Sequence, residues 1–424
     1  MLTIRATTFR THFLDLRPLR SNPGFARLWF GTSVSAIGGQ LSSYAVLLQT
    51  WTMTHSAAAV GGTGLAIGVP RILFALFGGA LSDSADRRRI VLWTSIGLIA
   101  GSAMLTAQSA ANWRNIWVIY ALCAVKAILS AVAGPARATF VPSLLPPDQI
   151  AAGVVLNQVS SQWSVFVGPM LAGWITTWLG LTACFGLDSL SYLASLYGVF
   201  RLPVLTAPLK RRPGFAMVVD GLRHIAHRPV IIGCLLADLC AMVLAYPSAL
   251  LPALSEDRFG GAPTALALLM SAMALGGLLA SLLSGRITRS DRPGALLLVA
   301  VVVWGSALGV VGLAHSLWLV GAALLVAGAA DTIAVLGRGI VVQLSTEDAY
   351  LGRVNAASQS VGVAGPALGN FRAGLAGSAL GTEAAIALGG VLAVAGAVSI
   401  AMCIPSVRRF SRATESVRQR SVVP

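Results

Sequence analysis

The chain is a succession of long apolar runs, nearly free of charge and parted by short gaps, and this pattern limits its fold more than any other feature. A helix needs about 20 mostly apolar residues to cross the hydrocarbon core of a bilayer. Lipid offers no partner to backbone N–H and C=O groups, so only helices and closed barrels span it. These runs are continuous rather than alternating, which favours helices over a barrel. We place them at 27–51, 57–80, 90–110, 115–139, 152–177, 180–201, 229–251, 264–285, 294–314, 317–341, 354–376 and 384–404. Composition agrees. Only 11% of the 424 residues are charged, against about a quarter in a soluble domain. The expected class is therefore an all-α membrane protein with twelve transmembrane helices in two six-helix repeats.

The charges that remain sit in the gaps. The net charge is +15, and of 30 cations only Lys126 and Lys210 are lysine, leaving 28 arginines. Such a balance points to nucleic acid only where a soluble basic face exists, so no nucleic-acid partner is expected. The cations alternate with the gaps. Arg5, Arg10, Arg17 and Arg20 precede the first run, and Arg87, Arg88 and Arg89 follow the second. Lys210, Arg211, Arg212, Arg223 and Arg228 follow the sixth, Arg286, Arg289 and Arg292 the eighth, and Arg408, Arg409, Arg412, Arg418 and Arg420 the last. The gaps between hold almost nothing beyond Arg114 and Arg258. Lys and Arg concentrate on the cytoplasmic side, so both termini and the central linker are expected there. This gives a multi-pass protein of a bacterial inner membrane. The expected divisions are a tail (1–26), a six-helix bundle (27–202), a linker (203–228), a second bundle (229–405) and a tail (406–424).

The halves read as repeats. Arg137 matches Arg338, Asp148 matches Asp348, Gly168-Pro169 matches Gly365-Pro366, and Asp86-Arg87 matches Asp291-Arg292, every offset being close to 200 residues. Repeated bundles are the plan of transporters that rock two halves about a midplane site. The 45 glycines include pairs inside apolar runs, Gly78-Gly79, Gly276-Gly277 and Gly389-Gly390, where small residues let helices approach closely. The five cysteines, at 123, 184, 234, 240 and 403, show no metal spacing. His224 and His227 are too few for a metal site, so no metal and no cofactor are expected.

The second gap reads Gly79-Ala80-Leu81-Ser82-Asp83-Ser84-Ala85-Asp86-Arg87-Arg88-Arg89. It resembles the signature loop of the major facilitator superfamily, with Ser84 and Asp86 standing where that family has Arg and Gly. A narrower set is similar to the branch of enterobactin exporters and macrolide efflux proteins. It comprises Gly134-Pro135-Ala136-Arg137, Val141-Pro142, Pro147-Asp148, Asp188 to Ser191, and Gln343 through Asp348 to Asn355. Gly168-Pro169 resembles the fifth-span motif of drug–proton antiporters and is expected to kink its helix. The resemblance implies proton-coupled efflux of a siderophore, macrolide or drug-like molecule by a monomer with no cofactor. It also implies that the first, fourth, seventh and tenth spans line a central cavity, which would place Lys126, Asp238 and Asp331 in one chamber.

A charge at mid-bilayer costs at least about 2.5 kcal/mol and so faces the bundle interior or a partner. Lys126, Asp238, Asp331, Asp188 and Arg71 are the candidates for substrate binding or proton coupling. Static roles compete: neutralisation of the acids by Lys126 or Arg338, an interhelical strut for Asp188, and service to carbonyls freed by Pro70 for Arg71. The cation favours an anionic ligand and the two acids a cationic one, and the sequence leaves both open. Gly79, Leu81, Asp83, Asp86, Arg87, Arg88 and Arg89 form an expected cytoplasmic latch, with Arg137 and Arg338 as further gating contacts or helix C-terminal charges. Arg372 is expected to snorkel, and Trp51, Trp113, Trp117, Trp174 and Trp178 to anchor span ends. No phosphate-binding loop, zinc-hydrolase motif or serine elbow occurs, so an enzyme is not expected. An uptake permease and a non-transporting sensor or scaffold remain the alternatives.

Overall fold

A computed structural model describes residues 15–84, 86–200, 202, 223–287 and 289–412. The cations at 5, 10, 210–212, 418 and 420, and most of the expected linker, lie outside the described residues. So do the side chains of Gly79, Leu81, Asp83 and Asp348.

Among the described residues there are twelve long helices: α1 (Pro23–Thr54), α2 (Ala57–Ser84), α3 (Arg87–Ala110), α4 (Ile116–Ala138), α5 (Pro147–Leu179), α6 (Leu181–Phe200), α7 (Pro229–Ala245), α8 (Pro263–Leu282), α9 (Pro293–Leu313), α10 (Leu317–Ser345), α11 (Asp348–Leu380) and α12 (Thr382–Cys403). Nine candidate spans among the described residues are long and apolar enough to cross a membrane. The remaining three helices, α1, α5 and α11, have 32, 33 and 33 residues. They are more polar because they turn Thr32, Gln40, Asn157 and Asn370 toward an internal cavity. The twelve expected runs each coincide with one of these helices.

The sequence sets the helix ends locally. Asn22 accepts from the Phe25 N–H at 2.9 Å, with Pro23 in the first turn. Asn115 accepts from Trp117 N–H and Asp86 from Arg88 N–H, both at 2.9 Å. Each satisfies one of the N–H groups that a helix start leaves orphaned. The α5–α6 and α11–α12 connections are single residues, Gly180 at φ 81° and Gly381 at φ 87°. A left-handed backbone costs glycine nothing, and the two glycines are a further repeat, 201 positions apart.

Packing repeats as well. α1 lies on α6, α2 on α4, and α3 on both α4 and α6. In the second half α7 lies on α12, α8 on α10, and α9 on both α10 and α12. Small residues set these distances. A Cβ on Gly276 would overlap the Leu325 carbonyl, and Gly390 sits against the carbonyl of Gly305. The halves meet chiefly through α2 on α11 and α5 on α8. Trp304, Tyr44 and Phe25 are the largest fully buried side chains. Trp93, Trp117, Trp178 and Trp318 face outward, as a lipid-facing surface requires.

α7 departs from its counterpart α1. It stops at Tyr246-Pro247, passes through a short turn (Ser248–Leu250), and resumes as a helix over Leu251–Phe259. The break frees the Leu244 carbonyl, and Arg372 of α11 donates to it. Arg372 is thus an interhelical strut instead of a snorkelling cation. Arg258, one of the two cations that the charge alternation did not explain, also has a local task. Its side chain is 4% exposed. It donates to the Glu383 carboxylate at 2.6 Å and to the carbonyls of Val311 at 3.1 Å, Gly312 at 2.6 Å and Ala314, closing the end of α9. Arg258→Ala is expected to cost about 2–3 kcal/mol, read as a lower unfolding midpoint in detergent, because buried acceptors lose a charged donor. Arg258→Lys is expected to recover little of it, since an ammonium cannot fan over several acceptors.

Candidate functional site

A cavity of about 920 Å³ lies between the halves. Helix α4 gives it a stripe at helical spacing, Cys123, Lys126, Ala127, Ser130, Ala133 and Arg137. Helix α2 gives a second, Thr63, Gly64, Ile67, Gly68 and Arg71. Tyr246, Ser248, Pro366 and Asn370 come from the second half. Among the described residues three hydrogen bonds cross between the halves at one end, and a fourth, from Gln162 Nε2 to Ser281 Oγ at 3.3 Å, joins α5 to α8 farther along. Tyr44 donates to the Pro263 carbonyl at 2.6 Å, Trp51 Nε1 donates to Glu256, and the Ala58 N–H donates to Ser378 Oγ at 3.0 Å. The cavity extends the other way, to Leu28, Arg137 and Phe140 near the start of α1 and the end of α4. That is the end on which the two described termini lie.

The embedded charges form separate groups. In the first half Lys126 Nζ donates to Asp188 Oδ2 at 2.6 Å and to Ser42 Oγ at 2.9 Å, and Ser102 Oγ donates to the same Oδ2 at 2.6 Å. Asp188 is 0% exposed, and its Oδ1 is buried with no hydrogen-bond partner. Lys126 stands between this carboxylate and the cavity, with its side chain 14% exposed. In the second half Arg338 pairs with Asp238, both buried. Asp331 lies seven residues before Arg338 on α10, two turns away on the same face. It is partly buried and makes no hydrogen bond or ion pair among the described residues.

The single chamber expected for Lys126, Asp238 and Asp331 therefore divides in two. Lys126 takes Asp188 of α6 as its counter-ion. Asp238 and Asp331 do not line the cavity. Arg338 is held in the bundle core by Asp238 rather than serving the end of α10, and its guanidinium lies against Gly362, which does line the cavity. Arg71 is exposed on the cavity wall and makes no hydrogen bond to a carbonyl of the described residues, so it does not serve Pro70. Arg137 Nη2 reaches Ser95 Oγ at 3.3 Å and Ser195 Oγ at 3.4 Å, and its Nε is buried without a partner.

Around the signature loop, Asp86 caps α3 and pairs with Arg89 at 3.7 Å. Arg88 donates to the Phe200 carbonyl and lies 5.9 Å over that ring. These contacts tie α3 to α6 inside the first half. Helix α5 continues through Pro169, and Gly168 brings it against Gln40 of α1. Gly365 brings α11 against Met242 of α7 in the same way. Trp113, Trp117, Trp174 and Trp178 are exposed, but Trp51 is buried at the inter-half contact. Its acceptor Glu256, which also lies 3.5 Å from His55, was not singled out from the sequence. The pairing depends on two elements 200 residues apart, for which no local pattern exists. No cluster of metal-ligating residues occurs among the described residues.

A family model described as transmembrane secretion effector matches residues 15–421. The chain belongs to the transmembrane secretion effector family. Enterobactin exporter EntS of Citrobacter koseri is a relative of this family member, 27% identical over 359 residues, covering 84% of this chain and 86% of that protein. The exporter of the same name from Escherichia coli is 25% identical over the same shares. Among solved structures, the nucleoside transporter NupG (D323A mutant) aligns with a TM-score of 0.74 at 11% identity, covering 90% of this chain and 99% of that one. A bacterial homologue of the iron transporter ferroportin, in an inward-facing state, aligns at 0.67 and 16% identity, covering 92% and 99%. The family member thus carries the major facilitator fold and is a multi-pass membrane transporter, not an enzyme.

Proposed function

We propose that this protein is a proton-coupled exporter that works by alternating access, with the inter-half cavity as its substrate path. The carrying observation is the cavity itself: sealed at one end by hydrogen bonds between the halves and extended toward the other. With both termini in the cytoplasm of a bacterial inner membrane, as the arginine distribution favours, the open end faces the cytoplasm. This is the loading state of an exporter. The names of the relatives make a siderophore the first substrate to test, ahead of macrolides and dyes.

The proton is assigned to Asp331. Asp238 is satisfied by Arg338, whereas the Asp331 carboxylate makes no hydrogen bond or ion pair among the described residues. The loop from Gly79 to Arg89 is the latch on the cytoplasmic side, with Asp86 and Arg88 anchoring it to the first half. When the halves rock, the seal of Tyr44, Trp51 and Glu256 must open and the latch must close. The working unit is a monomer, since the path lies within one chain.

The test is substrate movement in everted membrane vesicles energised by respiration. Enterobactin, erythromycin or a dye is expected to accumulate in the lumen and to alkalinise it as each is added. Accumulation in right-side-out vesicles instead would overturn export in favour of uptake. No movement in either orientation across the panel would favour the non-transporting reading.

A further inference from the structure

The charges of the cavity point to the chemistry of its occupant. Arg71, Lys126 and Arg137 all line it, and no Asp or Glu lines it among the described residues. Of the three, only Lys126 has a carboxylate partner, Asp188. Arg71 has no hydrogen-bond partner among the described residues, and Arg137 has only two serine hydroxyls and a buried Nε with none. Two positive charges on the cavity wall therefore have no carboxylate partner among the described residues. A cleft lined by charge of one sign raises the local concentration of ligands of the opposite sign.

The geometry extends this to a path. Arg137 lies eleven residues beyond Lys126 on α4, roughly 16 Å nearer the open end at 1.5 Å per residue. The two share one face of the helix. An ammonium has three N–H donors, and Lys126 spends two on Asp188 and Ser42. The third is left for the cavity. The rest of the wall is suited to an apolar body, with Phe140, Tyr192, Tyr246 and Met270 among the lining side chains.

We propose that the transported molecule is an acidic amphiphile whose negative charge is received by Arg71 and Arg137 and held at Lys126. Asp188 is then a positioning residue that fixes the ammonium on the cavity wall. This rests on the reading of the cavity as the substrate path.

The test is binding to the purified full-length protein in detergent at low salt, since salt screens exposed charges. The probes are Lucifer yellow, a permanently anionic dye, and rhodamine 6G, a cationic one. Wild type is expected to bind Lucifer yellow more tightly than rhodamine 6G. Arg71→Gln with Arg137→Gln is expected to weaken Lucifer yellow at least about tenfold, the size expected for charge-assisted hydrogen bonds. The same variant should not weaken rhodamine 6G. Arg137 is partly buried, so Arg71→Gln alone serves as the second variant: it removes one exposed charge and no contact, and should weaken the anion severalfold. Arg71→Lys should retain most of the affinity. Unchanged anion binding in both variants, or tighter wild-type binding of the cation, would overturn the anion site. If the protein binds the anion as expected but everted vesicles accumulate no substrate, it is the export reading that fails and the anion site that stands.

Discussion

Asp331→Asn is expected to reduce substrate-driven alkalinisation of everted vesicles to the level of vesicles lacking the transporter, while substrate binding in detergent stays within about twofold of wild type. The argument is one of compensation. A buried carboxylate needs a countercharge, hydrogen bonds, or a proton. Asp238 has Arg338, and Asp188 has Lys126 and Ser102. Asp331 makes no hydrogen bond or ion pair among the described residues, and Arg338, the cation that acts on it, is already paired with Asp238, so a proton is the partner left to it. It also shares a helix face with Arg338, which touches Gly362 at the cavity wall. A proton arriving at Asp331 changes the field on Arg338, and so on the helix that lines the path. The binding cations lie in the other half, which is why binding should survive. Asp331→Glu is expected to keep part of the coupling. Wild-type alkalinisation in Asp331→Asn would remove this residue from the proton path and return the assignment to Asp238.

The second large effect is structural. Lys126→Met is expected to cost about 3–5 kcal/mol, the usual penalty for stripping one partner from a buried ion pair. Asp188 is fully buried, one of its oxygens already lacks a partner, and among the described residues its ion-pair partner is Lys126. Without it the carboxylate keeps only the Ser102 hydroxyl. Asp188→Asn added to Lys126→Met should restore most of the loss, because a buried pair replaced as a whole costs little. Unfolding midpoints of the two single variants and the double variant in detergent give the coupling directly. Additive losses would mean that the pair is not the stabilising unit. The restored double variant should still fail to transport, since stability returns but the cavity has lost its ammonium.

These expectations describe a division of labour between two halves that share a plan but not their charges. Arg137 and Arg338 occupy equivalent places, each 21 residues after the first residue of its helix, α4 or α10. Arg338 meets a carboxylate, Asp238, whereas Arg137 meets Ser95 and Ser195. The duplicated arginine therefore serves a neutralised core in one half and an open anion path in the other. The repeat fixes where a side chain stands, and its neighbours decide what it does.

Much of this was legible in the residues themselves. Helix number and class follow from the length of the apolar runs, because lipid leaves the backbone no other way to satisfy itself. The two halves follow from matched positions near a 200-residue offset. The signature loop and the run around Arg137 carried the family. Each of these signals is local or periodic, and so survives in one dimension. The pairing of charges does not. Lys126 meets Asp188 and not Asp238 because α4 and α6 both pack on α3 in the same bundle. Trp51 turns inward to Glu256 because the halves close at that end. Arg372 serves a carbonyl because α7 breaks at Pro247. The sequence also left the sign of the substrate's charge open, with one embedded lysine set against two acids. Only the tertiary structure decided that the acids point away from the cavity and the cations into it, since the facing of a side chain depends on which helices surround it and at what rotation. Those are relations between residues tens to hundreds of positions apart, and no run of sequence contains them.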